Sequence, residues 1–177
     1  MNNGTPRIYL GMGTCGLASG AGKVKQAVEH WAEARETSVS VIPTGCIGFC
    51  SAEPIMDVVT DGGHRLSFGN ITPEDTQFIL DEVYVKKNYD IDGLLGQQKN
   101  GVKPLENIPF IEEHPYFKKQ VKYVLRNCGI INPVSLRDYR ETGGIQGLER
   151  ALSMTPQQVI DEVLASGRTD GLLDPDV

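Results

Sequence analysis

Three cysteines carry the chemistry that can be read from this sequence. Cys46 and Cys50 flank three residues in the turn-rich stretch Thr44-Gly45-Cys46-Ile47-Gly48-Phe49-Cys50-Ser51-Ala52-Glu53-Pro54, and Cys15 lies in an earlier turn, Gly11-Met12-Gly13-Thr14-Cys15-Gly16. Each turn directly follows a short apolar run that reads as a strand, and two such loops at one end of a sheet bring Cys15, Cys46 and Cys50 together. Three convergent thiolates make a soft-metal site, one donor short of the four that an iron–sulfur cluster or a structural zinc takes. Zinc with His64 as the fourth ligand suits the ligand types but lacks paired Cys-x-x-Cys spacing. Thiol–disulfide exchange fits less well, because that chemistry uses Cys-x-x-Cys at a helix start. The structural alternative is that the three thiols are small packed residues without a metal.

The other candidates read as ordinary. Cys128 sits at an expected helix end among apolar neighbours and is read as a buried structural residue. His30, His64 and His114 stand near no nucleophile or carboxylate at a telling spacing and are read as surface or capping histidines. Glu53 and Asp57 flank the second loop with nothing to pair them, so solvated carboxylates are expected.

The elements that must position the cysteines follow in order. Arg7-Ile8-Tyr9-Leu10 is a strand, and the glycines after it make a flexible turn around Cys15. A helix starts near Gly20–Ala21, with Val24, Ala27, Val28, Trp31 and Ala34 on its apolar face. Val39-Ser40-Val41-Ile42 is a strand stopped by Pro43. Ile55–Val59 and Arg65–Phe68 form a hairpin about Asp61-Gly62-Gly63. Thr72-Pro73-Glu74-Asp75 opens a helix with a capping box and carries Phe78, Ile79, Leu80 and Val83 inward. This order predicts an α/β, thioredoxin-like domain over 1–86, with helices on the sheet.

A connector is expected over 87–114, with a short helix near Ile91–Leu95. A small all-helical segment is expected over 115–167. It comprises Pro115–Asn127, a short helix opened by Ser135-Leu136-Arg137-Asp138, a turn or two over Ile145–Leu152, and a final helix opened by Thr155-Pro156-Gln157-Gln158 and stopped by Gly167. The tail 168–177 has no periodic pattern, is expected to fray, and offers Leu172 and Leu173 as exposed docking residues.

On these residues the chain resembles a known family. Ile8 to Ala21, followed by Thr44-Gly45-Cys46-Ile47-Gly48-Phe49-Cys50 and Glu53-Pro54, looks like the thioredoxin-like 2Fe–2S ferredoxin domain. That domain begins the NADH- and flavin-binding subunits of bacterial NADH dehydrogenases, bifurcating hydrogenases and NAD-linked formate dehydrogenases. Val124-Leu125-Arg126-Asn127-Cys128-Gly129-Ile130-Ile131-Asn132-Pro133, then Tyr139, Gly143-Gly144, Ala151-Leu152 and Met154-Thr155-Pro156 through Ser166-Gly167, is similar to the helical lead-in to the flavin domain of that subunit. The resemblance implies an electron-transfer module of an NADH-linked oxidoreductase complex, with a 2Fe–2S cluster on Cys15, Cys46 and Cys50 and other subunits of a flavin/iron–sulfur complex as partners. The alternative is a cluster-free domain that docks subunits.

Two departures from the family's pattern bear on this. The family's first loop supplies two cysteines, whereas Gly11 here follows the first strand and Cys15 stands alone. The fourth ligand is then a hydroxyl of Thr14 or Ser51, water, or a partner residue. After Ser166-Gly167 the family runs into a glycine-rich loop that cradles the flavin phosphate. Arg168–Val177 lacks it, so no FMN or NAD site is expected in this chain, which is not expected to be a catalyst by itself.

Composition sets further bounds. The 177 residues are 40% hydrophobic, enough for a core, and the net charge is −6 with no basic cluster, which disfavours nucleic acid and anionic membrane surfaces. No apolar run approaches the ~20 residues that span a bilayer, and the N-terminal residues carry no basic or apolar leader pattern. Four cysteines, two closely spaced, fit a reduced compartment better than a disulfide framework, so a cytoplasmic protein is expected.

Overall fold

The computed structural model describes residues 5–167. The tail 168–177, with Leu172 and Leu173, lies outside them. The described residues fall into two compact units, the first ending at Ser135 and the second beginning at Leu136.

The first unit is built on a five-stranded mixed sheet in the order β2-β1-β3-β4-β5. β1 (Arg7–Gly11) pairs parallel with β2 (Ser40–Thr44) and antiparallel with β3 (Met56–Val59). β3 and β4 (Arg65–Phe68) form the expected hairpin. A parallel pair needs a crossover, and α2 (Ala21–Glu33) supplies it. α3 (Pro73–Asp81) follows the hairpin, which completes the thioredoxin-like α/β arrangement.

The pleat divides the sheet into two unlike faces. Ile8, Val58 and Leu66 share one register row, and Leu10, Met56 and Phe68 another; all six are fully buried. They pack beneath Val24, Val28 and Trp31 of α2 and Ile79 and Leu80 of α3. Each such side chain contributes about 1.5–3 kcal/mol by burial. The Trp31 indole N–H donates to Asp81 at 2.8 Å and ties the two helices together. The opposite face presents Tyr9, Asp57 and Ser67 in one row, with Arg65 beside them. That polar face is covered, because Gln98 donates to Ser67 and Arg65 reaches the carbonyls of Gly129 and Ile130.

Several local expectations are met. Thr72 and Asp75 form a reciprocal capping box at the start of α3, as Thr155 and Gln158 do for α6 (Pro156–Ala165). Other details differ for physical reasons. Pro43 lies within β2 instead of stopping it, which an edge strand tolerates. Phe78 points outward and Ala34 is exposed, while Thr76 and Ala32 take the inward positions. Cys15 lies in a short helix, α1 (Thr14–Ala18), not a glycine-rich turn. The expected helix near Ile91–Leu95 is instead β5 (Leu94–Gln97), which extends the sheet beside β4. Residues 115–127 form a series of turns, not a helix.

The second unit contains α4 (Leu136–Glu141), α5 (Gln146–Leu152) and α6, linked internally by the Arg150–Glu162 ion pair at 2.9 Å. No helix among the described residues is long and apolar enough to cross a membrane.

Candidate metal centre

The loops after β1 and β2 meet at one end of the sheet. Their entry is fixed by backbone bonds, since Met12 N–H donates to Thr44 O at 3.0 Å and Gly11 N–H to Ile55 O at 2.9 Å. A Cβ at Gly13 would lie 3.2 Å from the Cys46 nitrogen, so the first loop lies closely against the second at this glycine. The second loop closes in a 3₁₀ turn, Cys50–Ala52, and Glu53 N–H donates back to Cys50 O.

The result is a compact thiol cluster. Cys50 Sγ lies 3.3 Å from Cys15 Sγ and 3.7 Å from Cys46 Sγ, and all three sulfurs fall within 4.8 Å of one another. Gly48 N–H donates to Cys46 Sγ at 3.3 Å, and the chain leaves Gly48 with positive φ. Hydrogen bonds from Cys46 and then Cys50 hold the Cys15 thiol below its ordinary value, whereas burial pushes Cys46 up to about 12. Such a set of soft donors matches iron–sulfur or zinc chemistry.

Sequence reasoning missed the cover over this loop. Phe49 stacks on Tyr116 with ring centroids 4.1 Å apart and meets Phe117 edge-on at 5.4 Å. The Tyr116 hydroxyl donates to Gly48 O at 2.7 Å. Lys122 lies over the Phe117 ring at 3.9 Å. Phe49 between the cysteines was the available signal, but its partners are more than 60 residues away in the chain.

The remaining candidates separate clearly. His64 is held by Thr60 and the Lys103 carbonyl and does not join the thiol group, so the zinc reading loses its fourth ligand. His30 is exposed, and His114 meets the Phe49 ring at a tilt and accepts from Tyr116 N–H. Thr14 and Ser51 are exposed. Cys128 is half-buried, with Sγ 3.7 Å from where a Cβ of Gly45 would stand.

Glu53 and Asp57 are not solvated carboxylates. Both are buried, because the loops and the 127–131 segment close over this end of the sheet. Burial raises the Asp57 carboxyl above its ordinary value against the opposing pull of Arg65, whose Nε donates to Oδ2 at 2.8 Å. Burial also raises Glu53, against the Ile55 N–H that donates to Oε2 at 2.8 Å.

No protein-family model matches the chain. Over 50 residues, 28% of this chain, it is 48% identical to NADP-reducing hydrogenase subunit HndC of Solidesulfovibrio fructosivorans, of which it spans 10%. Over 94 residues, 52% of this chain, it is 26% identical to subunit HndB of the same organism, of which it spans 74%. A thioredoxin-like [2Fe-2S] ferredoxin from Aquifex aeolicus superimposes with a TM-score of 0.45 at 19% identity, covering 54% of this chain and 94% of that one. A Cys55Ser variant of that ferredoxin gives a TM-score of 0.42 at 18% identity, over 50% of this chain and 96% of the variant.

Proposed function

We propose that this chain is an electron-transfer module of a multi-subunit, nicotinamide-linked oxidoreductase, with a 2Fe–2S cluster held by Cys15, Cys46 and Cys50. The observation that carries this reading is the convergence of three thiols from two loops to within 4.8 Å. The likeness to two subunits of an NADP-reducing hydrogenase supports the complex as its setting.

The donor set fits the group. Thiolates are the ligands of 2Fe–2S clusters, and N–H···S bonds such as Gly48 to Cys46 tune their potential. When bound, the cluster supplies one-electron transfer. The chain's own residues orient the sulfurs: Gly48 N–H donates to Cys46 Sγ, and Tyr116 and Phe117 pack against Phe49 of the same loop. Cys50 is exposed and gives an electron-exchange partner access to this end of the sheet. Four free thiols support a reducing compartment, and we place the protein in the cytoplasm.

Iron and acid-labile sulfide analysis with a visible spectrum, on protein purified without oxygen, tests this. Two irons and two sulfides per chain are expected, with loss in Cys46→Ser. Folded protein that takes up neither on reconstitution overturns it.

A second reading rests on α4, α5 and α6, none of which has a buried residue among those described, while Leu152, Ile160 and Leu164 are exposed. These helices would dock a partner subunit whether or not the cluster is present. A complex that survives Cys46→Ser is the expected result.

A further inference from the structure

The net charge of −6 conceals a local cluster of the opposite sign. Residues 115–130 include Lys118, Lys119, Lys122 and Arg126 and no acid, a grouping that the composition of the whole chain masks. Lys118, Lys119 and Arg126 are exposed, and among the described residues no carboxylate pairs with them. Between these cations the fold leaves apolar side chains in water: Val121 is 95% exposed, Tyr123 84% and Val124 89%. Single apolar residues on a surface are ordinary, but neighbouring ones rimmed by charge mark a site of association.

This patch adjoins the cysteine loop. At one end the Tyr116 hydroxyl donates to Gly48 O at 2.7 Å while its ring stacks on Phe49. At the other, Leu125 Cδ1 lies 3.5 Å from where a Cβ of Gly48 would stand. Both ends therefore rest on the residues between Cys46 and Cys50, and Cys50 is itself exposed.

We propose that residues 118–126 dock an acidic electron-exchange protein, whose carboxylates meet Lys118, Lys119 and Arg126 and whose apolar centre covers Val121, Tyr123 and Val124. The proposal rests on the electron-transfer reading above and names the chemistry of the partner. Unpaired cations around an apolar centre are complemented by carboxylates around another, and such charges steer the encounter and fix its orientation. A small contact suffices, because electron-transfer encounters bury less than about 1,200 Å². The surroundings disfavour nucleic acid or an anionic membrane. Glu112 and Glu113 are exposed just before the patch and the rest of the chain is acidic, so an extended polyanion meets like charge at its edges. A compact protein face meets the patch alone.

The test uses the full chain reconstituted with iron and sulfide, and a strongly acidic 2Fe–2S ferredoxin as the probe, with affinity read by calorimetry at low and high salt. Binding is expected at low salt and weakens as salt rises. Lys118→Glu with Lys119→Glu is expected to weaken it at least about tenfold at low salt, with little difference left at high salt. Val121→Ser with Val124→Ser is expected to weaken it about threefold or more at both. Lys23→Glu with Lys25→Glu makes the same change of charge on α2, across the sheet, and is expected to have a much smaller effect. All six side chains are exposed, so none of these changes removes a packed group. Absence of binding, or equal weakening by the two charge pairs, overturns the docking surface whatever the iron analysis shows. Capture by vesicles of phosphatidylglycerol and phosphatidylcholine in place of the ferredoxin, abolished by Lys118→Glu with Lys119→Glu, overturns it in favour of a membrane. A chain that takes up no iron yet binds the ferredoxin in the expected pattern overturns the cluster and keeps the docking surface.

Discussion

Arg65 donates from Nε to Asp57 Oδ2 at 2.8 Å, and the same guanidinium donates to the carbonyls of Gly129 and Ile130 while lying 3.5 Å from the Tyr9 ring centroid. One side chain therefore neutralises a buried acid on the sheet and holds a segment 64 residues further along the chain against it. Removing one member of a buried pair leaves a charge stranded and costs about 3–5 kcal/mol. Arg65→Met is expected to destabilise by that amount in urea unfolding, and to speed hydrogen exchange across residues 127–131. Asp57→Asn with Arg65→Met is expected to recover part of the loss. Unchanged exchange at 127–131 would remove the anchoring role.

Gly129 fixes how closely that segment approaches the cysteine loop. Its φ is +76°, and a Cβ there would stand 2.2 Å from Ile47 Cγ2. Gly129→Ala combines left-handed strain with a steric clash, each worth about 1–3 kcal/mol. Ile47→Ala is expected to relieve the clash but not the strain, so a double-mutant cycle followed by thermal unfolding should show a favourable coupling of about 1 kcal/mol or more. Additive losses would mean that the two residues do not meet.

Metal uptake should depend on pH in a definite direction. Burial pushes Cys46 up to about 12 in the metal-free protein, so at neutral pH it is a thiol whose proton the metal must displace. Titration with Co²⁺, followed by its thiolate charge-transfer band, is expected to tighten as pH rises from 6 to 8, about tenfold per pH unit for each proton released. Cys46→Ser is expected to weaken the band and flatten the slope. A pH-independent affinity would contradict the protonated state.

Glu82 is shifted in the opposite direction. Its carboxylate accepts from Lys86 Nζ at 2.5 Å and from Asn88 Nδ2 at 2.7 Å, and these bonds, Lys86 first, hold it below its ordinary value of 4.5. The unfolded chain then binds the proton more tightly than the native one. The stabilisation is complete above the unfolded value and disappears as pH falls through the lowered native value. Glu82→Gln should therefore lose stability at neutral pH and converge with the wild type in acid, as measured by denaturant midpoints across pH 2–7. Parallel curves would show that the contact contributes nothing.

The sequence by itself determined the elements whose signals are local. The period of Val24, Val28 and Trp31 marked α2, Thr72 with Asp75 marked the start of α3, and Asp61-Gly62-Gly63 marked the hairpin. The two cysteine turns, each following an apolar run, marked Cys15, Cys46 and Cys50 as residues that meet if their loops share an end of the sheet, and they do because β1 and β2 pair in parallel. Only the tertiary structure decided what depends on contacts distant in sequence. β5 carries a weak local pattern and exists by pairing with β4. Asp57 and Glu53 looked solvated because the residues that bury them come from other parts of the chain, above all the 127–131 segment that Arg65 holds down. A carboxylate's role follows from the water it loses, and that loss is a property of the fold, not of the residue's neighbours in sequence.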